Sequence, residues 1–222
     1  MEAIRVIHFS DVLCVWAYIS QVRVDELSEK LGDQVSIDTR FCSVFGDALH
    51  KLEKRWETRG GMSGYGAHVR DVAEEFDHAV HSNVWRKMAP RSSMACHQFL
   101  CAVRSLERRG EVEDAFTKAC WGLRTAFFRD LKDISARAVQ LELAEELSIP
   151  VGAVEACLDS GEAHAELAGD YNLARDYAVT VSPTLILNEG RQRLNGNVSF
   201  RVIEANVSEL IRQKSMMQAS DC

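Results

Sequence analysis

A single cysteine near the start of the chain has the type and position best suited to chemistry. Cys14 lies in the segment SDVLCVWAY, residues 10–18, where an apolar strand gives way to a helical pattern. Backbone N–H groups and the dipole at a helix N-terminus stabilise a thiolate, the nucleophilic form of cysteine. The position therefore predicts a reactive Cys14 with a pKa below the free value of about 8.5. The alternative is a small buried apolar residue, as free cysteines usually are.

A proline near the end of the chain is the second such feature. Pro183 stands in Val181-Ser-Pro-Thr, directly before an apolar strand, in a chain with only three prolines. A cis peptide bond shapes some turns of this kind, whereas an ordinary trans proline that starts a strand is the commoner case. The residues by themselves leave both isomers of the Ser182–Pro183 bond open.

The remaining cysteines do not form a recognisable framework. They contain no Cys-x-x-Cys pair, so neither a zinc ribbon nor a disulfide scaffold is predicted. Cys96 and Cys101 point about 140° apart on a helix, which argues against a metal site. Cys42 ends the second predicted strand, where a ligand crevice would lie, and we expect it to line or pack behind the pocket beyond bonding distance of Cys14. The seven cysteines are residues 14, 42, 96, 101, 120, 157 and 222.

The elements that must position these residues follow from apolar periodicity. Residues 4–9 read as a strand, a helix with Val24, Leu27 and Leu31 follows, and residues 35–41 alternate as a second, parallel strand. At least five helices then follow from about residue 48 to residue 177. Two short strands and a final helix close the chain. The predicted architecture is α/β: a β-α-β…β-β-α domain formed by residues 1–47 and 178–222, with a helical insertion at 48–177.

Composition limits the classes of partner. The 222 residues include 13 glycines and three prolines, so helix should outweigh strand. The net charge is −7 with both signs interspersed, which argues against nucleic acid or an anionic membrane as the main partner. No apolar run approaches the length of a membrane span and no cleavable leader is visible, so a cytoplasmic location is predicted. Small molecules or proteins are the expected partners, and a homodimer stays open.

Two segments resemble those of a known family. Residues 11–18, DVLCVWAY, resemble the Asp-x-x-Cys-Pro-Trp-Cys-Tyr active-site segment of DsbA-like thioredoxin-fold proteins, specifically the cytoplasmic FrnE-like branch. Residues 181–187, VSPTLIL, resemble that family's cis-proline segment. The similarity extends through residues 126–135 and the order of elements. It implies a thioredoxin-like fold with an all-helical insertion.

The resemblance also implies roles for individual residues. Cys14 corresponds to the nucleophile and Pro183 to the cis-proline that faces it, with Ser182 offering backbone groups to an extended thiol substrate. The catalytic prediction is Cys14. The predicted substrate-binding residues are Asp11, Trp16, Ala17, Tyr18, Ser182 and Pro183, and the pocket candidates are Cys42, Asn83 and Ser93. For Ser93, helix capping is the alternative, and for Tyr18 it is packing in the first helix.

The chain departs from the family pattern at two positions. Ala17 stands where the resolving cysteine belongs, and Val15 replaces the usual proline. A lone cysteine can attack a disulfide but cannot release the product by internal attack. We therefore expect a thiol-disulfide oxidoreductase that acts through a mixed disulfide with glutathione or another small or protein thiol, with no tightly bound cofactor and no metal.

Two other functions stay open. Similar folds occur in 2-hydroxychromene-2-carboxylate isomerases and kappa-class glutathione transferases, which use glutathione and generally carry serine at the position of Cys14. The third alternative is a non-catalytic module that binds a thiol or peptide. Residues 60–66, GGMSGYG, lack the ending of a phosphate loop and are predicted to form a flexible loop that could cover the site.

Overall fold

A computed structural model describes residues 3–220 of the chain, with side chains through residue 215. Cys222 lies outside the described residues. Along the chain, helix α1 lies between strands β1 and β2, and seven further α-helices lie between β2 and β3. The elements are β1 (Ile4–Ser10), α1 (Val15–Leu31), β2 (Val35–Phe41), α2 (Ala48–Trp56), α3 (Gly61–Glu75), α4 (Met94–Arg108), α5 (Ala115–Phe128), α6 (Arg137–Glu146), α7 (Val151–Asp159), α8 (Glu162–Asp176), β3 (Thr184–Leu187), β4 (Gln192–Asn195) and α9 (Phe200–Ser220).

The strands form one mixed sheet in the order β2-β1-β3-β4. β1 and β2 are parallel, as their apolar pattern predicts, and the other two pairs are antiparallel. Ser10 pairs with Phe41 and Phe9 with Thr184. The ends of β1 and β2 and the start of β3 therefore meet at one edge of the sheet. The predicted β-α-β, helical insertion, β-β-α order is the thioredoxin-like fold.

Alternation along β1 divides the core between the two sheet faces. Val6 packs with Leu27 of α1 and Val207 of α9 in one apolar cluster. Phe9 packs on the opposite face with Ala174 of α8. A third and larger cluster joins residues 12–19 to the helices of the insertion. The insertion thus covers the segment that carries Cys14.

The glycine-rich segment forms the start of a helix, so the predicted flexible loop is wrong. Residues 61–66 are the first turns of α3. A Cβ atom at Gly64 would lie 1.8 Å from the Arg59 carbonyl oxygen, and one at Gly66 would lie 2.5 Å from the Val84 carbonyl oxygen. These glycines allow close approach of backbone, a requirement that composition alone does not distinguish from flexibility.

Candidate functional site

Cys14 and the proline segment meet at the edge of the sheet where β1 and β2 end. Cys14 directly precedes α1 with an extended backbone, φ −84° and ψ 118°. Its Sγ donates a hydrogen bond to the Ser182 carbonyl oxygen at 3.1 Å. The Ser182–Pro183 peptide bond is cis. The two segments that the sequence singled out, 168 residues apart, therefore form one structural unit.

Ser182 contacts both ends of the loop between β1 and α1. Its carbonyl oxygen accepts from Cys14, and its Oγ accepts from the Asp11 backbone N–H at 2.8 Å. Ser182 is buried, whereas the preceding Val181 is 42% exposed. An extended ligand can therefore reach this segment from the Val181 side, and Ser182 holds the Cys14 loop in place beneath it.

Asp11 positions the loop that carries Cys14, and its contact with substrate stays a prediction. Its carboxylate is fully buried. Oδ1 accepts from the Leu13 N–H at 3.0 Å, and Oδ2 accepts from the Phe45 N–H at 2.7 Å and the Ser93 hydroxyl at 3.0 Å. Protein donors thus occupy both oxygens. Ser93 reaches the site from the insertion, as predicted, and its side chain does not cap α4.

His97 of α4 is a site residue that the sequence analysis did not identify. The Val12 N–H donates to its Nε2 at 3.2 Å, and its Nδ1 lies 2.9 Å from the Tyr171 hydroxyl. Burial lowers the pKa of His97 to about 4, so the ring is neutral and Nδ1 carries the proton. Its Nε2 lies 3.7 Å from Asp11 Oδ1 without forming an ion pair at neutral pH. No sequence signal links His97 to a loop 85 residues earlier.

The pKa of the Cys14 thiol is raised, which contradicts the prediction of a lowered pKa. Burial is the main cause, and the nearby Asp11 carboxylate adds to it. Hydrogen bonds from the Ala17 and Trp16 backbone and from Ser182 act in the opposite direction but do not prevail. The helix N-terminus is present, as expected, yet its effect is smaller than the cost of an anion in a buried site.

Lys51 of α2 is a second site residue absent from the sequence analysis. Its Nζ donates to the Val44 carbonyl at 2.8 Å and lies 4.0 Å from the centre of the Phe45 ring. Burial lowers the pKa of Lys51, while the charges of Cys14 and Asp11 oppose that effect. The ammonium group is therefore close enough to act electrostatically on Cys14.

Cys42 is buried beside this site as a free thiol. It packs with Phe9 and Ala174, and Cys14 is likewise free. Burial raises the pKa of Cys42, and the charges of Asp11 and Cys14 raise it further. Cys42 therefore lies near Cys14 without a bond to it.

The other predicted site residues differ in their access to this edge. Trp16 is half-buried and contacts Phe76 edge-on, with ring centres 6.0 Å apart. Ala17 is fully buried. Tyr18 packs in the core, stacked on Phe128, as the alternative to substrate contact requires, and its contact with substrate stays a prediction. Asn83 lies in a turn where its N–H donates to His81 Nδ1, and within the described residues it makes no hydrogen bond to the Cys14 loop.

A groove of about 530 Å³ lies next to the proline segment. Ser43 and Val44 after β2, helices α2 and α8, and residues 178–180 line it. Lys51, Arg55 and Arg175 give the groove a basic character. Its lining includes Ser43, which directly follows Cys42, and Thr180, which directly precedes Val181. Among residues 3–215, no cluster of three or more metal-ligating side chains is present.

Comparisons with known proteins agree with this geometry. Residues 5–208 match the profile of the DSBA-like thioredoxin domain. The chain belongs to this family. A search of curated protein sequences gives no significant match. Within the described residues, the DSBA-like chain has no helix with the length and apolar character needed to cross a membrane.

Solved structures share the fold of this DSBA-like chain at low sequence identity. A candidate protein disulfide isomerase from Nitrosomonas europaea is 14% identical, with a TM-score of 0.77 over 96% of this chain and 99% of that one. The cytosolic disulfide reductase DsbM from Pseudomonas aeruginosa is 17% identical, with a TM-score of 0.66 over 96% and 99%. A 2-hydroxychromene-2-carboxylate isomerase is 14% identical, with a TM-score of 0.66 over 96% and 98%. DsbM has also been solved with GSH.

Proposed function

We propose that this DSBA-like protein is a thiol-disulfide oxidoreductase in which Cys14 is the single nucleophile. The observation that carries the proposal is the contact between Cys14 Sγ and the Ser182 carbonyl next to a cis-proline. A substrate disulfide that approaches along the exposed Val181 side reaches Cys14 at this edge. Ala17 has a methyl group where the family has a resolving cysteine, so no thiol at this position can attack the mixed disulfide on Cys14.

The reaction balances with glutathione as the second thiol. The Cys14 thiolate attacks the glutathione sulfur of a mixed disulfide, the S–S bond breaks, and the substrate leaves as a thiolate that takes up a proton. Cys14 is then joined to glutathione. The thiolate of a second glutathione attacks the glutathione sulfur of this Cys14–glutathione disulfide. Oxidised glutathione leaves, and the Cys14 thiolate is restored. The net change converts one mixed disulfide and one glutathione into one thiol and oxidised glutathione.

The charge of the groove supports glutathione as the thiol. Glutathione has two carboxylates and one ammonium group, so it is an anion at neutral pH. Lys51, Arg55 and Arg175 line the groove and can pair with those carboxylates. The similar fold of DsbM, solved with GSH, agrees with this choice.

A reducing compartment suits this chemistry, and we place the protein in the cytoplasm. The cysteines in the described residues, Cys14, Cys42, Cys96, Cys101, Cys120 and Cys157, are all free. Reduced thiols are typical of cytosolic proteins. DsbM, whose fold is similar, is a cytosolic disulfide reductase.

Mass spectrometry after incubation with oxidised glutathione tests the proposal. We expect one glutathione adduct, mapped to Cys14, and turnover of a small glutathione mixed disulfide. Cys14→Ser should lose both. Cys42→Ser is the matched control, a second buried thiol near the same edge, and should retain both. An adduct on Cys42 instead, an isolated 14–42 disulfide, or loss of turnover in folded Cys42→Ser would contradict a single-cysteine mechanism.

A second candidate function is favoured by the protonation of Cys14. The thiol donates a hydrogen bond to the Ser182 carbonyl oxygen, and burial raises its pKa, so Cys14 is a neutral donor at rest. A neutral donor can stabilise the thiolate of a bound glutathione, as a glutathione-dependent isomerase or transferase requires. In that case Cys14→Ser keeps activity, because a hydroxyl also donates. Glutathione binding without an adduct or turnover would indicate a binding module instead.

A further inference from the structure

A cavity of about 380 Å³ lies apart from the Cys14 site, between α1, β2, α4 and α5. It is on the sheet face that α1 covers. Of the loop from Asp11 to Cys14, only Val12 lines it. The rim includes Ser28 of α1 and Thr117 of α5, both exposed. The volume falls in the range of small-molecule sites, which is roughly 300–1,000 Å³.

Polar side chains that line this cavity have atoms without hydrogen-bond partners. In the described part of the chain these atoms are His8 Nε2, Gln21 Oε1, Arg104 Nε and Arg124 Nε. Their residues are at most 9% exposed. Buried polar atoms are almost always satisfied, because an unmade hydrogen bond is costly. The lining of this cavity therefore contains polar side chains whose hydrogen bonds the described chain does not complete.

The charge of Arg124 indicates the sign of that occupant. Arg124 is 3% exposed and donates a hydrogen bond to Ser10 Oγ. No carboxylate lies within 4.0 Å of its guanidinium in the described residues. The other arginines of the lining are paired: Arg40 and Arg104 with Asp170, and Arg108 with Glu166. A buried cation without a counterion is unfavourable, and an anion in the cavity would compensate it.

The charge of Asp25 acts on Arg124, but none of the three acids of the lining forms an ion pair with its guanidinium. The Trp121 Nε1–H donates to Asp25 Oδ2 at 2.7 Å, and the Phe116 N–H donates to Glu107 Oε2 at 2.8 Å. Asp38 pairs with Arg40 at 2.6 Å. Each carboxylate already has its own donor. The guanidinium of Arg124 therefore stays available to a ligand.

We propose that this cavity binds a small organic carboxylate, with its anionic group on Arg124. A planar guanidinium matches a carboxylate in geometry, and an anion of this kind can use both oxygens. The apolar side chains Val24, Phe41, Leu100 and Phe116 also line the cavity and would face the body of the ligand. An apolar body with one carboxylate therefore fits better than inorganic phosphate.

Calorimetric titration with benzoate and its neutral analogue benzamide tests this site. We expect benzoate to bind, and benzamide to bind about tenfold more weakly or worse, because it lacks the charge that Arg124 compensates. Arg124→Gln should weaken benzoate binding by a similar factor. Thr117→Trp should block the rim, and Thr58→Trp, at an exposed position outside the cavity, should leave binding unchanged.

The outcomes separate this site from the proposed activity. Cys14→Ser should bind benzoate as the unchanged protein does, even though it loses the proposed thiol chemistry. If Arg124→Gln does not fold, Thr117→Trp alone decides. The proposal is overturned if benzoate does not bind, if benzamide binds equally well, or if folded Arg124→Gln and Thr117→Trp both keep full affinity, since a hydrated structural arginine would then occupy the cavity wall.

Discussion

At the scale of single residues, opposing effects decide the protonation of Cys14. Backbone N–H groups at the start of α1 favour its thiolate, whereas burial and the Asp11 carboxylate favour the thiol, and the thiol prevails. The thiolate fraction at neutral pH is therefore below that of a free cysteine. The rate at which Cys14 reacts with an electrophile should therefore still be rising with pH above about 8.5, the usual thiol pKa.

Lys51 provides the test of this electrostatic account. Its ammonium group acts on Cys14, so Lys51→Met should raise the pKa of Cys14 further and slow alkylation at pH 7 several-fold, since one pKa unit is about a tenfold change in thiolate. Iodoacetamide is uncharged, so its rate does not depend on binding in the basic groove. The pH profile of alkylation at Cys14, read by mass spectrometry, is the measurement.

Lys54→Met is the matched control for Lys51→Met. Lys54 lies on the same helix α2 and is exposed. Solvent screens such a charge, so its removal should leave the profile unchanged. Equal profiles for the two variants would show that Lys51 does not tune Cys14.

The residue scale also shows what sequence could not provide. The strand-to-helix change at residues 10–15 places Cys14 at the start of a helix, and that prediction is correct. Its pKa depends on burial beneath the insertion, where Phe45 and Tyr65 pack in the same cluster. Those contacts join segments separated by tens of residues, and no local pattern encodes them. The predicted direction of the Cys14 pKa shift is therefore wrong, whereas the predicted position of Cys14 at the start of a helix is correct.

At the scale of elements, His97 connects α4 to the loop before α1. Burial holds its pKa at about 4, below the unfolded value of about 6.5. The unfolded chain thus binds the proton more readily. Stability from this group is complete above pH 6.5 and decreases as pH falls toward 4, with a loss of about 2 kcal/mol at pH 5.

A His97→Gln variant tests that pH dependence. A glutamine oxygen can still accept from the Val12 N–H, but it has no proton to gain. The loss in unfolding free energy between pH 7.5 and pH 5, measured with denaturant, should therefore be about 2 kcal/mol smaller in the variant. His8 is also buried with a lowered pKa of about 3, so a residual decrease remains in both proteins. If the unchanged protein and His97→Gln lose the same unfolding free energy between pH 7.5 and pH 5, His97 is not the cause of this pH dependence.

The glycines of α3 give a second prediction for an element. Gly66→Ala should lower the unfolding free energy by about 2 kcal/mol or more, because its Cβ would lie 2.5 Å from the Val84 carbonyl oxygen. Gly169→Ala in α8 is the control, since nothing lies within 4 Å of its Cβ. It should stabilise the protein by roughly 0.5–1 kcal/mol through helix propensity. Stabilisation by both changes would show that α3 tolerates a side chain there.

At the scale of the whole molecule, the order of elements could be predicted because each element carries its own apolar period. The parallel pair β1 and β2 and the long helical block follow directly from it. The association of the block with the sheet could not be predicted, because it depends on buried polar contacts between distant residues. Arg104 of α4 donates to the Thr39 carbonyl of β2, and Asp170 of α8 accepts from the Phe41 N–H. Solved structures that are 14–17% identical share the overall fold.

These contacts predict that the insertion does not fold alone. The largest apolar cluster contains Leu13 and Ile19 together with residues of the helices from α2 to α8, so residues 48–177 by themselves expose a face that these side chains cover. Arg104 would also lose its partner in β2. We expect residues 48–177, expressed separately, to show no cooperative thermal transition, while the whole chain unfolds cooperatively under the same conditions. A sharp calorimetric transition with dispersed amide signals would establish the insertion as an independent domain instead, because only a complete core gives both.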